Sequence, residues 1–260
     1  MIVPYFWFSL IFYILWLIVG RTIVGEEEML INPVTPIIEF LRGTPKIILA
    51  PYWFITCLFS IQTIFYLLRK LIKLNSLLIC TTCSLYFIVL SFNLTNLPWC
   101  IDKALLYLPF YAVANILKTQ IEHIKHNNII GNIISFVITL ILLYINNITD
   151  NLYINHILYI MSGICIIYAY IAFCKFISQK IGSINIIKYI GDNNIITLAL
   201  QNYIIGCVKI INILLFSANM LASNYYFINI VVAIITIMIS MIFAIVINRY
   251  APFIIGKKNQ

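Results

Sequence analysis

The chain has 260 residues, 63% hydrophobic and only 9% charged, with a mean hydropathy of +1.04 and a formal net charge of +8. Soluble domains carry about 25% charged residues, so this sequence cannot cover a water-facing surface, and a soluble globule is excluded. Its basic residues are isolated singles and short clusters with no stripe that could track phosphates, which excludes a nucleic-acid partner and leaves membrane lipid.

A spanning helix needs roughly 20 mostly apolar residues. Met1 runs directly into the first apolar run, 3–20, without a basic segment or a small-residue cleavage site, so the run reads as a span and not as a cleavable signal. An exposed loop is predicted over 21–46, marked by Arg21, Glu26, Glu27, Glu28, Asn32, Pro33 and Pro36. Further runs follow at about 47–68, 75–92, 101–117, 129–146, 152–174, 193–216 and 225–248. The fourth run is short and carries Pro109. Asn concentrates in the spacers, where its turn preference places it. The reading is a single all-α domain over 1–260, a polytopic bundle of about eight transmembrane helices.

The distribution of Lys and Arg tests this segmentation, because basic residues stay on the cytoplasmic side. One set of alternating loops holds eleven: Arg69, Lys70, Lys73, Lys118, Lys125, Lys175, Lys180, Lys188, Arg249, Lys257 and Lys258. The opposite set holds three, Arg21, Arg42 and Lys46, all in the long loop. Both termini are therefore expected in the cytoplasm, in a multi-pass protein of the cell inner membrane.

Ionisable groups inside a span are costly and mark candidate sites. Asp102 and Lys103 open the fourth run after Pro98-Trp99; they read either as a polar outer mouth or as a helix start whose dipole favours Asp. Lys209 lies mid-run in the seventh helix and is read as lining a cavity. Gln201 stands eight residues earlier, so the two share a face. His123 and His126 fall in a short basic connection and read as solvated, and His156 lies at an outer helix end. The seven cysteines lie almost entirely in apolar runs and read as small hydrophobes, including Cys80-Thr-Thr-Cys83 despite its ligand spacing. No metal site is expected. Asn93-Leu-Thr95 and Asn147-Ile-Thr149 fit a glycosylation acceptor pattern, which an Asn-rich chain produces by chance.

Four stretches, in order, resemble the acyltransferase-3 superfamily, and more narrowly its fucose 4-O-acetylase-like and polysaccharide O-acetyltransferase members. The first is Val3-Pro4-Tyr5-Phe6-Trp7-Phe8-Ser9 running to Trp16-Leu17-Ile18-Val19-Gly20-Arg21. The second is Pro51-Tyr52-Trp53-Phe54-Ile55, and the third is Leu97-Pro98-Trp99-Cys100-Ile101-Asp102-Lys103-Ala104-Leu105 with Leu108-Pro109-Phe110-Tyr111. The fourth is Ile190-Gly191-Asp192-Asn193-Asn194-Ile195, followed by Ala199-Leu200-Gln201. The resemblance implies transfer of an acetyl group from acetyl-CoA, as donor substrate with no bound cofactor, to a sugar hydroxyl of an envelope polysaccharide or lipid-linked glycan. It implies substrate contacts from Trp53, Trp99, Asp102, Asn193, Gln201 and Lys209, with Tyr107 as a further stacking surface.

Two departures qualify that expectation. The family's first two helices, with its Arg-x10-His motif and catalytic histidine, have no counterpart here, nor does its basic RxxR motif. Gln201 stands where the family commonly has His, and Gln cannot take up a proton. The catalytic residue is therefore unassigned, and the chain is expected to be inactive alone. A truncated copy, a misplaced start, or one half of a split enzyme completed by an N-terminal half or a second copy remain open. The competing readings are a transporter or flippase for a lipid-linked glycan or small solute, and a structural membrane subunit.

Overall fold

A stretch too apolar for water must satisfy its backbone internally, and in a single segment only the α-helix does so. The computed structural model follows that rule. It describes residues 2–20, 32–44, 50–122, 129–149, 151–181, 185–215 and 225–256, which are helical with short connections and contain no strand. The helices are α1 (Ile2–Leu15), α2 (Val34–Leu41), α3 (Trp53–Leu71), α4 (Asn75–Ser91), α5 (Ile101–Glu122), α6 (Ile129–Ile148), α7 (Leu152–Ile181), α8 (Asn185–Asp192), α9 (Asn194–Leu215) and α10 (Tyr225–Tyr250). A π-helical turn, Trp16–Gly20, continues α1, and 3₁₀ turns precede α3 and α5 and follow α10.

Each of the eight apolar runs contains one long helix. Three helices are long and apolar enough to cross a membrane: Trp53–Leu71, Leu152–Lys175 and Ile230–Tyr250, the last with a mean hydropathy of 3.2. Most of their residues are not covered by protein, and α10 exposes Ile234, Met238, Ile242 and Ile245. Such faces need lipid against them. The chain is an all-α membrane protein.

Two elements differ from the sequence reading. Helix α5 runs through Pro109, which is buried, and extends to Glu122. A proline removes one backbone bond and kinks a helix, but membrane helices tolerate it where neighbours make up the loss. Residues 185–192, read as part of a basic loop, form α8, whose first residues Ile186 and Ile187 are 67% and 62% exposed.

The chain divides into two compact units, 1–59 with 96–100 and 186–260, and 60–95 with 101–185. In the first, Tyr5, Phe8, Phe12 and Trp16 recur at helical spacing along one face of α1 and are buried. Tyr5, Phe8 and Phe12 form a core with Tyr52, Ile55, Ile196, Ala199 and Ala244. Phe12 stacks on Tyr203 with centroids 4.4 Å apart and planes 10° from parallel. Helix α10 packs on α9, and Thr236, Ser240 and Ala244, one turn apart, give it a small-residue face that allows close approach.

In the second unit, α6 and α7 form an antiparallel hairpin, and α5 packs against α4 and α7. The Asn151 carboxamide oxygen accepts the backbone N–H of Tyr153 (3.0 Å) and Ile154 (3.3 Å), capping α7. Asn93, one of the two acceptor-pattern asparagines, sits just past α4 with φ +47°. That left-handed helix stop suits Asn.

Gly163 of α7 faces Phe110: an added Cβ would lie 2.6 Å from the ring. Gly163→Leu should therefore lower the thermal midpoint in detergent by an amount equivalent to about 1–3 kcal/mol of overpacking. Phe110→Leu in the same chain should recover part of the loss.

Candidate functional site

Among the described residues, the most constrained backbone is a knot in the first unit. Trp99 (φ +57°) and Cys100 (φ +51°) are consecutive left-handed residues, a conformation that costs a bulky side chain about 1–3 kcal/mol each. Three neighbours hold them. The Trp99 N–H donates to the Arg42 carbonyl. The Cys100 thiol reaches the Gly43 carbonyl at 3.4 Å, and the Thr56 hydroxyl lies 2.7 Å from the same oxygen and 2.9 Å from that of Trp53. Gly43 itself has φ +68°, and a Cβ there would lie 3.0 Å from Trp99 Cα. The backbones of Trp53 and Trp99 are thus tied through Thr56 and Gly43.

Trp99 continues into an aromatic cluster. Its ring lies 6.3 Å from Tyr5 and 5.8 Å from Phe59. Tyr5 stacks on Phe40 at 5.1 Å and donates its hydroxyl to the Phe40 carbonyl at 2.9 Å. Tyr52, fully buried, packs against Tyr5 and Phe8.

Asn193 is buried at the junction of α8 and α9 and is hydrogen-bonded within the protein. Its amide donates to the Tyr189 carbonyl (2.9 Å), and its oxygen accepts from Asn248 of α10 at 2.7 Å. These two bonds fix the helix junction. Gln201 is half-buried on α9. Lys209 falls within α9, but its side chain lies outside the described residues, as do those of His123 and His126. Asp102, in the second unit, is 8% exposed, and both it and Lys103 have interaction partners. The structure therefore groups Trp53, Trp99, Asn193 and Gln201 in one unit and places Asp102 in the other.

An open cleft of about 220 Å³ lies beside the Asn193 junction. Phe54, Ile55 and Leu58 of α3 and Ile195 and Leu198 of α9 make its apolar wall, and Gly191, Asp192 and Asn194 contribute the rest.

Buried hydroxyls supply a further signal. Most in the helices bond back to a carbonyl about one turn earlier: Thr82 to Ile79, Ser135 to Gly131, Thr139 to Ser135, Thr236 to Val232. Ser9, Tyr52 and Ser240, all in the first unit, bury their oxygens without a hydrogen-bond partner. An unmade buried bond costs about 1–3 kcal/mol.

Sequence reasoning missed the Gly43–Thr56–Cys100 knot, the Asn193–Asn248 bond, and the pair of Tyr86 and His156. In that pair the phenol oxygen lies 2.8 Å from His156 Nδ1, joining α4 to α7. The left-handed glycine in Arg42-Gly43 was the one local cue. The other contacts join residues 55 and 70 positions apart. Among the described residues no group of three His, Cys, Asp or Glu could hold a metal ion. Cys80 and Cys83 are free thiols.

Known proteins add no family to this picture: no family model, curated protein or solved structure matches the chain.

Gly43→Ala should lower the thermal midpoint by the equivalent of about 1–2 kcal/mol, the cost of a side chain at positive φ. Ala at Thr56 should also destabilise, because it removes the hydroxyl from the Gly43 carbonyl. A midpoint unchanged in both variants would remove the knot as a structural element.

Proposed function

We propose that the chain is an eight-span membrane protein of the acyltransferase-3 kind, with both termini cytoplasmic, handling an acetyl group and a sugar hydroxyl of an envelope glycan. One observation carries this reading: the four stretches that resemble the family, or their opening residues, fall in one compact unit. Tyr5, Phe8 and Phe12 of the first stretch, Tyr52 and Ile55 of the second, and Ile196 and Ala199 beside the fourth share one core, and Trp99 of the third touches Tyr5. Motifs up to 190 residues apart in sequence have no local reason to meet.

The chemistry is direct displacement at a thioester. The acceptor oxygen attacks the acetyl carbonyl, the new C–O bond forms as the C–S bond breaks, and the hydroxyl proton leaves as CoA departs as its thiol. A base positioned on that hydroxyl contributes roughly 10²–10⁴-fold. Gln201 can hold the hydroxyl or the carbonyl by hydrogen bonds but cannot take the proton. Trp53 and Trp99 offer faces for a sugar ring. Asn193 is a positioning residue that holds the α8–α9 junction through Asn248.

Membrane vesicles containing the chain, supplied with acetyl-labelled CoA and envelope glycan, test the reading. The chain alone should leave the glycan unlabelled; with a partner polypeptide that supplies the missing catalytic histidine, label should appear in the glycan fraction as a base-labile ester, and Trp99→Ala should then lower transfer by about tenfold, the loss of roughly 1.5 kcal/mol of aromatic contact. No ester label with that partner present, together with loss of glycan export on deletion, would favour the transporter instead.

A further inference from the structure

We propose that the cleft between α3 and the α8–α9 junction is a binding site for a phospholipid with a primary-amine, zwitterionic head group.

Gly191 is the first reason. It lies in α8 with ordinary helical backbone, and a Cβ there would meet nothing within 4 Å. Neither strain nor packing inside the protein calls for glycine, which costs a helix about 0.5–1 kcal/mol relative to Ala. What the missing side chain leaves open is the cleft that Gly191 lines.

Charge is the second. Among the described residues, the one ionisable group lining the cleft is the exposed Asp192, beside an apolar wall that includes Phe54, Leu58 and Leu198. An ammonium satisfies a carboxylate through a short charge-assisted hydrogen bond. An anionic ligand would be repelled, and a purely apolar one would leave the carboxylate unused. Lys188 stands four residues before Asp192 and is also exposed, so the two charges share one side of α8. Their order suits a head with a phosphate toward Lys188 and an amine toward Asp192.

Placement is the third. Helix α8 has eight residues, with Ile186 and Ile187 largely exposed and Lys188 beside them. A short segment of apolar and basic residues lies in the membrane interface, at the depth of lipid head groups. The apolar wall of the cleft then receives the upper part of an acyl chain.

The test uses the full chain purified in detergent, with thermal midpoints measured after adding phosphatidylethanolamine, phosphatidylcholine or phosphatidylglycerol with identical acyl chains. Phosphatidylethanolamine should raise the midpoint by about 2–4 °C above the other two, and native mass spectrometry should count it as a retained adduct. Asp192→Asn should abolish that preference without changing the lipid-free midpoint, because the carboxylate is exposed. Gly191→Leu should abolish binding by filling the cleft. Equal shifts from all three lipids, a larger shift from phosphatidylglycerol, or a preference that survives Asp192→Asn would each overturn the assignment. None of these outcomes depends on acetyl transfer.

Discussion

The constraint on which everything else rests is that hydrocarbon offers no partner to a peptide N–H or C=O. Each group left unmade there costs several kcal/mol, so the apolar runs have one economical form. The structure shows how far that constraint reaches. Helix α5 continues through Pro109, and buried hydroxyls turn back onto their own helix carbonyls. In water a proline would be a natural place to stop.

Once the helices are fixed, cohesion depends on shape, since lipid tails compete on equal terms with any apolar side chain. The two units answer this differently. The first uses aromatic rings from α1 and the segment before α3, closed by Ile196 and Ala199 of α9, with a small-residue face on α10. The second uses the α6–α7 hairpin, the Gly163 recess for Phe110, and the Tyr86–His156 contact. Polar bonds are few and specific in both. The Asn193–Asn248 bond ties the α8–α9 junction to α10, and Thr56 ties the strained Trp99–Cys100 turn to Gly43. Strain of that kind persists only where the surroundings over-determine it, and here two aromatic rings and a shared carbonyl do so.

What the sequence revealed follows from the same physics. Every long helix was visible, because apolar length is a local property and needs no partner. The ends were less so. Helix α7 was read to residue 174 and continues to Ile181, since Lys175 and Lys180 end the apolar run without ending the helix. Helix α8 was hidden in a basic spacer because its eight residues are too short for periodicity to stand out. The site was legible only in part. Trp53 and Trp99 were named as substrate contacts from the resemblance, and the structure records a backbone link between them through the Gly43 carbonyl and Thr56, which no spacing rule selects. Asn193 was named as a substrate contact from the resemblance alone, and the structure adds its bonds to Tyr189 and Asn248, the latter across 55 residues, which single-sequence reasoning cannot see.

The proposed activity combines a bundle whose outer faces need lipid with an aromatic core assembled from four distant stretches. Its foundation is the threading of the chain, because a glycan-modifying bundle of this design needs its basic loops on one side and its Asn-rich turns on the other. Reporter fusions at residues 69–73 and 147–151 measure that most directly. The account predicts opposite compartments, with 69–73 in the cytoplasm and 147–151 outside; both reporters on one side would contradict it.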